Sequence, residues 1–343
     1  MRAAGVPHAS PDGGRQGVSL AARRICLAPM MDRTDRHFRR LMRCITRTAL
    51  LYTEMIPALA LVRGRQTCLL DYHPVERPLA VQFGGSDPDV LAECARMAAD
   101  RGYDEINLNV GCPSERVADG GFGACLMARP DTVARCVEAM ARVVTLPVTV
   151  KHRIGIDAMD SDADLTRFVA TVAQGGCTVF IVHARKAWLG GVSPKQNRSL
   201  PPLDHAMVYR LKADRPDLTV VINGGIASLA DAAIHLERVD GVMIGRAAYE
   251  TPCLFVPVDR MFGGCFTAPP SPRHVAARMI DTLACTAADG TPPVRVLRHM
   301  HGLFHGMPGA RRWRRCLTSL TGADPDTVVR ALHDCLDSFP TRD

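Results

Sequence analysis

In the run "EINLNVGCPSERVADGGFGACLM", Glu105 to Met127, two asparagines stand two residues apart, and the apolar stretch that carries them ends in Gly-Cys-Pro-Ser. Side chains of a strand alternate between faces, so Asn107 and Asn109 point the same way, and the chain then turns at Gly111 and Pro113 with Cys112 held between them. Something is bound on that face. Similar endings close other short apolar runs: Pro29, Met30 and Met31 after "ICLA", Glu54 in "LLYTEM", Gln82 in "LAVQFGG", Lys151 and Arg153 in "VTVKHRIG", His183 and Arg185 in "VFIVHARK", Asn223, Gly224 and Gly225 in "VVINGGI", and Gly245 and Arg246 in "GVMIGRA". Each has a plain structural use when taken alone, since Gln82 could tie a loop and a lone His183 could be a satisfied core histidine. Eight such endings together require a common cause.

The groups present suit a phosphate and a flat, electron-accepting ring. Paired glycines in "INGGI" let backbone N–H groups approach an anion, and Arg246, about twenty residues on, adds a fixed positive charge. Gln82 offers an amide to the pyrimidine edge of a flavin, and Lys151 a cation near N1 and O2, where the reduced ring carries negative charge. His183 can donate to the ring or phosphate edge, and the backbone of Pro29 to Met31 can border the ring. Only four lysines occur, at 151, 186, 195 and 212, so one at a run's end does not reflect composition. No G-x-G-x-x-G fingerprint with its downstream acid appears, so FMN fits these groups better than a Rossmann nicotinamide site.

These residues must be brought to one opening by the elements that precede them. The eight runs start at Ile25, Leu50, Leu79, Glu105, Val148, Val179, Val220 and Gly241, and alternate with helix-like segments such as "DPDVLAECARMAADRG" and "LADAAIHLERV". Eight strand–helix units predict a (β/α)8 TIM barrel, whose chemistry collects at the C-terminal mouth of the strands. The 343 residues allow that barrel and a smaller domain. The expected organisation is a mobile N-terminal tail over residues 1–22, a catalytic barrel over 23–261 and, past the Pro-rich "GGCFTAPPSP", a helical bundle over 262–343. No apolar run nears the roughly 18 residues of a membrane span, and the N-terminus lacks the apolar segment of a secretory signal. A cytoplasmic, monomeric protein is expected. Thirteen cysteines without C-x-x-C spacing read as mostly buried thiols, with no metal site. The net charge of +7 invites a nucleic-acid partner, but the skew toward Arg looks like a coding bias, so position has to decide.

Together "LAPMMDRTDRHFRRLMR", "LLYTEM", "LAVQFGG", "INLNVGCPSERVADGGFGACLM", "VTVKHRIGID", "FIVHARKAWLGGVSPKQNR", "VINGGI" and "GVMIGRAAY" resemble the tRNA-dihydrouridine synthases, most closely their A subfamily. The similarity runs from about Ile25 to the C-terminal "GARRWRR", and "NVGCPS" with "HARKAWL" is highly specific. The resemblance implies FMN-dependent, NADPH-driven reduction of uridine to 5,6-dihydrouridine in the D-loop of tRNA, at positions 20 and 20a. It implies flavin contacts from Pro29, Met30, Met31, Gln82, Lys151, His183, Asn223, Gly224, Gly225, Gly245 and Arg246, with Cys112 as the catalytic acid. It further implies tRNA contacts from Asn109, Lys195, Arg198, Arg311 and Arg314. At the first strand end Met31 and Arg33 stand where the subfamily usually has Leu and Trp. The reaction needs a hydride from flavin N5 to C6 of uracil and a proton to C5 from the opposite side. Cys112, as a thiol, can supply that proton, and Cys125 in "GACLM" is the competing sulfur.

The second domain bears on the partner. "GARRWRRCL" places Arg311, Arg314 and Arg315 at i, i+3 and i+4 of one helix face, where like charges repel by a few tenths of a kcal/mol per pair. An anionic partner relieves that repulsion, and a solvated basic face is the other reading. A uracil stacked in folded tRNA must be extruded to reach a barrel mouth, while shape and backbone charge serve for recognition. Asn109 and Arg185 are candidates for the polar edge of the base. Two other functions fit parts of the pattern: a small-molecule pyrimidine or enoate reductase, which has no use for the basic domain, and a tRNA-binding protein without catalysis, which predicts a damaged flavin site.

Overall fold

The computed structural model describes residues 18–264 and 268–339. Eight strands, β1 (Ile25–Leu27), β2 (Leu51–Pro57), β3 (Leu79–Gly84), β4 (Glu105–Val110), β5 (Val148–Arg153), β6 (Val179–His183), β7 (Thr219–Asn223) and β8 (Gly241–Ile244), lie parallel in the order β1-β8-β7-β6-β5-β4-β3-β2. A parallel bridge between Cys26 and Leu50 and a bond from the Leu27 N–H to the Leu50 carbonyl (3.0 Å) bring the two ends together. The result is the expected (β/α)8 barrel. Each strand coincides with an apolar run, because helices cover one face of the sheet while the other face lines the barrel, leaving few positions for water-seeking side chains.

Two apolar clusters follow from strand alternation. In β4, Ile106, Leu108 and Val110 are fully buried in the layer between sheet and helices, whereas Glu105, Asn107 and Asn109 turn inward. The inner cluster is small, formed by residues such as Tyr52, Ala80, Ile181, Val221 and Met243. Registers set inward groups side by side: Gln82 beside Asn107, Asn107 beside Thr149, and Asn109 beside Lys151. At the floor a helical turn, Leu20–Arg23, sends the Arg23 guanidinium to the buried Glu105 carboxylate, which also accepts from the Tyr52 hydroxyl (2.9 Å). Residues 1–17 of the expected tail lie outside the described residues. Of the residues assigned to that tail, Leu20 to Ala22 lie in this helical turn, with Ala22 buried.

The helices begin where side chains satisfy the free N–H groups. Asp87 Oδ1 accepts from Asp89 (3.0 Å) and Val90 (3.3 Å) ahead of Pro88–Arg101, and Ser161 with Asp164 forms a capping box on Asp162–Gln174. Of the C-terminal helices Pro272–Ala288, Val294–Leu297, Ala310–Ser319 and Pro325–Asp337, the first and third both pack on the last, and Trp313 is fully buried. The Trp313 indole N–H donates to the Met300 carbonyl (2.8 Å), and its ring lies 5.1 Å from that of Phe304. Ser271 and Asp324 cap the Ser-Pro and Asp-Pro helix starts. Asp35, just after β1, caps the helix Arg36–Ile45 and pairs with Arg298 and His299 (2.9 Å). That carboxylate fastens the C-terminal helices to the barrel beside the first strand end. No helix among the described residues is long and apolar enough to cross a membrane.

Candidate active site

The inward groups of β3, β4 and β5 form a column of hydrogen bonds. Thr149 Oγ1 donates to Glu105 Oε1 (2.7 Å), Asn107 Nδ2 to Thr149 Oγ1 (2.9 Å), Gln82 Nε2 to Asn107 Oδ1 (2.7 Å), and Asn109 Nδ2 to Gln82 Oε1 (2.8 Å). Asn109 Oδ1 then accepts from the backbone N–H groups of Gly111 (3.1 Å) and Cys112 (2.9 Å). The turn that carries Cys112 is therefore fixed from below. From the side, the Cys112 carbonyl accepts from the Ala124 N–H (2.9 Å), and Gly123, at φ 78°, comes so close that a Cβ there would lie 2.5 Å from that carbonyl oxygen. The Cys112 thiol is half-buried and sits 3.5 Å from Ser114 Oγ, whereas Cys125 spends its thiol on the Phe122 carbonyl (3.1 Å).

Beside Asn109, Lys151 brings a half-buried ammonium for which no acceptor is found among the described residues. Burial, with the nearby Arg153 guanidinium, pulls it down to about 7. Arg153 itself is nearly enclosed and works as a clamp, donating to the carbonyls of Gly111 (2.9 Å), Lys186 (3.1 Å) and Asn197 (3.0 Å). Burial drives the His183 imidazole well below its usual range, with Arg153, Lys151, Arg185 and Arg246 adding to the effect, so the ring is neutral. Burial and Arg246 lower Arg185, and burial, Arg246 and Arg33 lower Arg198. Mutual depression of this kind marks a mouth with more cations than its own carboxylates balance. Glu54, the acid at the end of β2, is pushed up by burial and by Asp35, which makes it a poor counter-ion for them.

At β7, Gly224 and Gly225 adopt φ of 115° and 76°, and a Cβ on them would meet His183 at 2.7 Å and Leu203 at 2.4 Å. Only a bare backbone fits there, packed against the His183 and Leu203 side chains, with Gly245 and the exposed Arg246 on the neighbouring strand end. Asn223 donates to the Met243 carbonyl (2.7 Å), tying β7 to β8. Pro29 and Met30 are half-buried, their loop pinned by Thr34 Oγ1 accepting from the Met30 N–H (2.9 Å), while Met31 is exposed. The Arg33 guanidinium lies 4.8 Å over the Tyr249 ring, a flat cation in the position expected to carry an indole. Both residues expected to meet a base are already engaged. Asn109 has one amide N–H left over, and Arg185 Nη1 donates to the carbonyls of Ser199 (3.3 Å) and Pro201. Lys195 and Arg198 are exposed on the loop after β6, which Asn197 anchors by bonding both the N–H and the carbonyl of Trp188 (2.8 Å each).

Away from the strand ends, Arg311, Arg312, Arg314 and Arg315 are exposed on the helix Ala310–Ser319, whose opposite face buries Trp313 and Leu317. They line an open groove with His305 and Met307, and no ion-pair partner reaches them among the described residues. No cluster of His, Cys, Asp or Glu suited to a metal ion occurs among the described residues. Glu105, Thr149 and Asn197 are not among the site residues expected from sequence; for Glu105 and Thr149 the available signal was a polar residue at an inward position of β4 or β5.

A family model described as dihydrouridine synthase (Dus) matches residues 26–338. A tRNA-dihydrouridine(20/20a) synthase of Synechocystis is 53% identical over 311 residues, covering 90% of this chain and 93% of that protein. Proteins of the same description from Vibrio cholerae, covering 90% of this chain and 95% of that protein, and from Salmonella typhi, covering 92% and 96%, are each 51% identical. Among solved structures, a 2-naphthoyl-CoA reductase in complex with 2-naphthoyl-CoA aligns with a TM-score of 0.53 at 11% identity, over 69% of this chain and 50% of that one, a likeness of fold alone.

Proposed function

The chain belongs to the dihydrouridine synthase family, and from that premise we propose that it reduces uridine to 5,6-dihydrouridine at positions 20 and 20a of the tRNA D-loop, with FMN bound and NADPH as reductant. One observation carries the reading: Lys151, a half-buried cation without an acceptor among the described residues, stands on the strand next to the Asn109 that holds the Cys112 turn. A cation and a positioned thiol at one mouth supply what reduction of an electron-poor ring needs, charge balance on one side and a proton on the other.

The residues present fit FMN. Lys151 suits the N1 and O2 edge, the Gln82 amide near the top of the column suits the pyrimidine edge, and the backbone of Gly224, Gly225 and Gly245 with the exposed Arg246 suits the phosphate. FMN, when bound, supplies hydride transfer between NADPH and C6 of uracil. Cys112 gives its proton to C5 and regains one from solvent, which the half-buried sulfur allows. Lys195, Arg198 and the arginine face of Ala310–Ser319 hold the tRNA backbone while the target base is extruded into the mouth. A reductase for small pyrimidines would leave that arginine face unused.

The test is reconstitution: purified protein with FMN and NADPH is given unmodified tRNA, and nucleoside mass mapping locates the added two hydrogens. Dihydrouridine at positions 20 and 20a is the expected product. Reduction of free uridine at a comparable rate would overturn the tRNA assignment, and a flavin-loaded protein without product on either substrate would overturn the activity.

A further inference from the structure

The column above the barrel floor has a direction. Its lower end is a carboxylate, Glu105, paired with the enclosed Arg23 guanidinium, and an ionised carboxylate can only accept. The Thr149 hydroxyl has two acceptors in reach, Glu105 Oε1 at 2.7 Å and the Ile106 carbonyl at 3.2 Å; the shorter bond to the carboxylate takes its single proton, and with either acceptor its oxygen is left to accept from above. Only the NH2 side of Asn107 can satisfy that oxygen, so its carbonyl faces Gln82; Gln82 in turn gives its NH2 to Asn107 and its carbonyl to Asn109. Asn109 is left with its oxygen uppermost, where the backbone N–H groups of Gly111 and Cys112 can only donate. An obligate acceptor at one end and obligate donors at the other fix three amides in one orientation. Reversal of any one of them would set donor against donor and acceptor against acceptor in a region where Gln82, Asn107 and Thr149 are essentially shut off from water.

We propose that Glu105, remote from the reacting atoms, is a positioning residue that acts through Thr149, Asn107, Gln82 and Asn109 to hold the turn that carries the Cys112 thiol in its working orientation. The proposal rests on the reading of Cys112 as the acid. It makes the barrel floor part of the active site's support, and it accounts for a buried charge pair at a place where apolar residues would pack as well.

The test breaks the column in its middle, in the full-length, FMN-loaded protein, with Thr149→Val and the conservative Thr149→Ser. Three quantities are read: single-turnover flavin reduction by NADPH, single-turnover uracil reduction on tRNA, and the alkylation rate of Cys112 by iodoacetamide in flavin-free protein, followed by peptide mass. Thr149→Val is expected to slow uracil reduction at least tenfold, change flavin reduction less than twofold and speed Cys112 alkylation severalfold, with Thr149→Ser restoring all three. Wild-type behaviour of Thr149→Val in both uracil reduction and alkylation would overturn the proposal, as would a Thr149→Ser variant as impaired as Thr149→Val. If Thr149→Val does not fold, Asn107→Asp, which keeps the shape and removes the donor, carries the same expectation and the same refutation. Failure of the proposed activity itself shows separately, as wild-type protein that forms no dihydrouridine; the alkylation measurement then still decides whether the column holds the Cys112 turn.

Discussion

Replacing Lys151 by Met should move stability and flavin binding in opposite directions. Burial, with Arg153, takes this lysine from 10.5 to about 7. Between those values the unfolded chain carries a proton that the native, flavin-free protein has lost, so the group makes stability rise with pH across that window, and below it the native protein bears the whole cost of a poorly solvated charge. At 1.36 kcal/mol per unit the full shift corresponds to about 5 kcal/mol, and partial hydration of a half-buried side chain reduces the realistic figure to about 2 kcal/mol. Lys151→Met keeps the length of the side chain and removes the charge. In urea titrations at pH 6 the flavin-free variant should be more stable than wild type by about 2 kcal/mol, a gap that closes as pH rises from 7 toward 10. The same variant should bind FMN about ten- to a hundredfold more weakly by fluorescence titration, from the loss of one charged hydrogen bond of about 1.5–3 kcal/mol. A variant that is less stable at pH 6 and binds FMN normally would refute the argument, because Lys151 would then be a structural residue.

Cys112→Ala should keep FMN binding and flavin reduction by NADPH yet lose most dihydrouridine formation, whereas Cys125→Ala, whose thiol is spent on the Phe122 carbonyl, should retain it; the reverse pattern would reassign the acid. Arg311→Ala with Arg314→Ala should raise the tRNA dissociation constant and flatten its salt dependence by about one unit of slope per lost phosphate contact, with flavin reduction unchanged; an unaltered salt series would place the RNA surface elsewhere. Burial alone would raise the Asp35 carboxyl, but hydrogen bonds and charge from His299, then Arg298, outweigh it and hold it below the usual range. Its contribution is thus present above the unfolded value of about 3.9 and lost as pH falls below it, so Asp35→Asn should cost about 1–3 kcal/mol at pH 7 and flatten the acid limb of the stability curve.

The strands were legible because each is an apolar run broken by one group that does not belong in it, and in a barrel such a group can only lie at a strand end or inside. Gln82, Lys151 and His183 stood out for that reason. Glu105 did not: a charge at the first position of a strand is ordinary, and its partners come from β2, β5 and the turn before β1, a juxtaposition that only register creates. Arg153 shows the converse. It was visible as a cation at a strand end, but its bonds to three carbonyls make it a clamp for the loops after β4 and β6, and a chain of letters does not say which guanidinium is already engaged. Arg33, where the subfamily usually has Trp, was legible as a departure, whereas its packing over Tyr249 was not, because only the fold brings those two positions together.

The division of labour among the cations explains why the mouth tolerates them. Arg153 and Arg185 have their charge dispersed over backbone carbonyls, so they can be held near one another without acidic partners. Lys151 has no such outlet, and its ammonium is depressed toward neutrality in the absence of a ligand. An anion arriving at this mouth therefore finds rigid, permanently charged walls and one group able to take up a proton as it binds. That coupling should appear as proton uptake on FMN binding at pH 8, measured as the dependence of binding heat on the ionisation enthalpy of the buffer. Lys151→Met should abolish it. Uptake that survives the substitution would move the responsible group elsewhere, and none in the wild type would mean that Lys151 is charged before the ligand arrives.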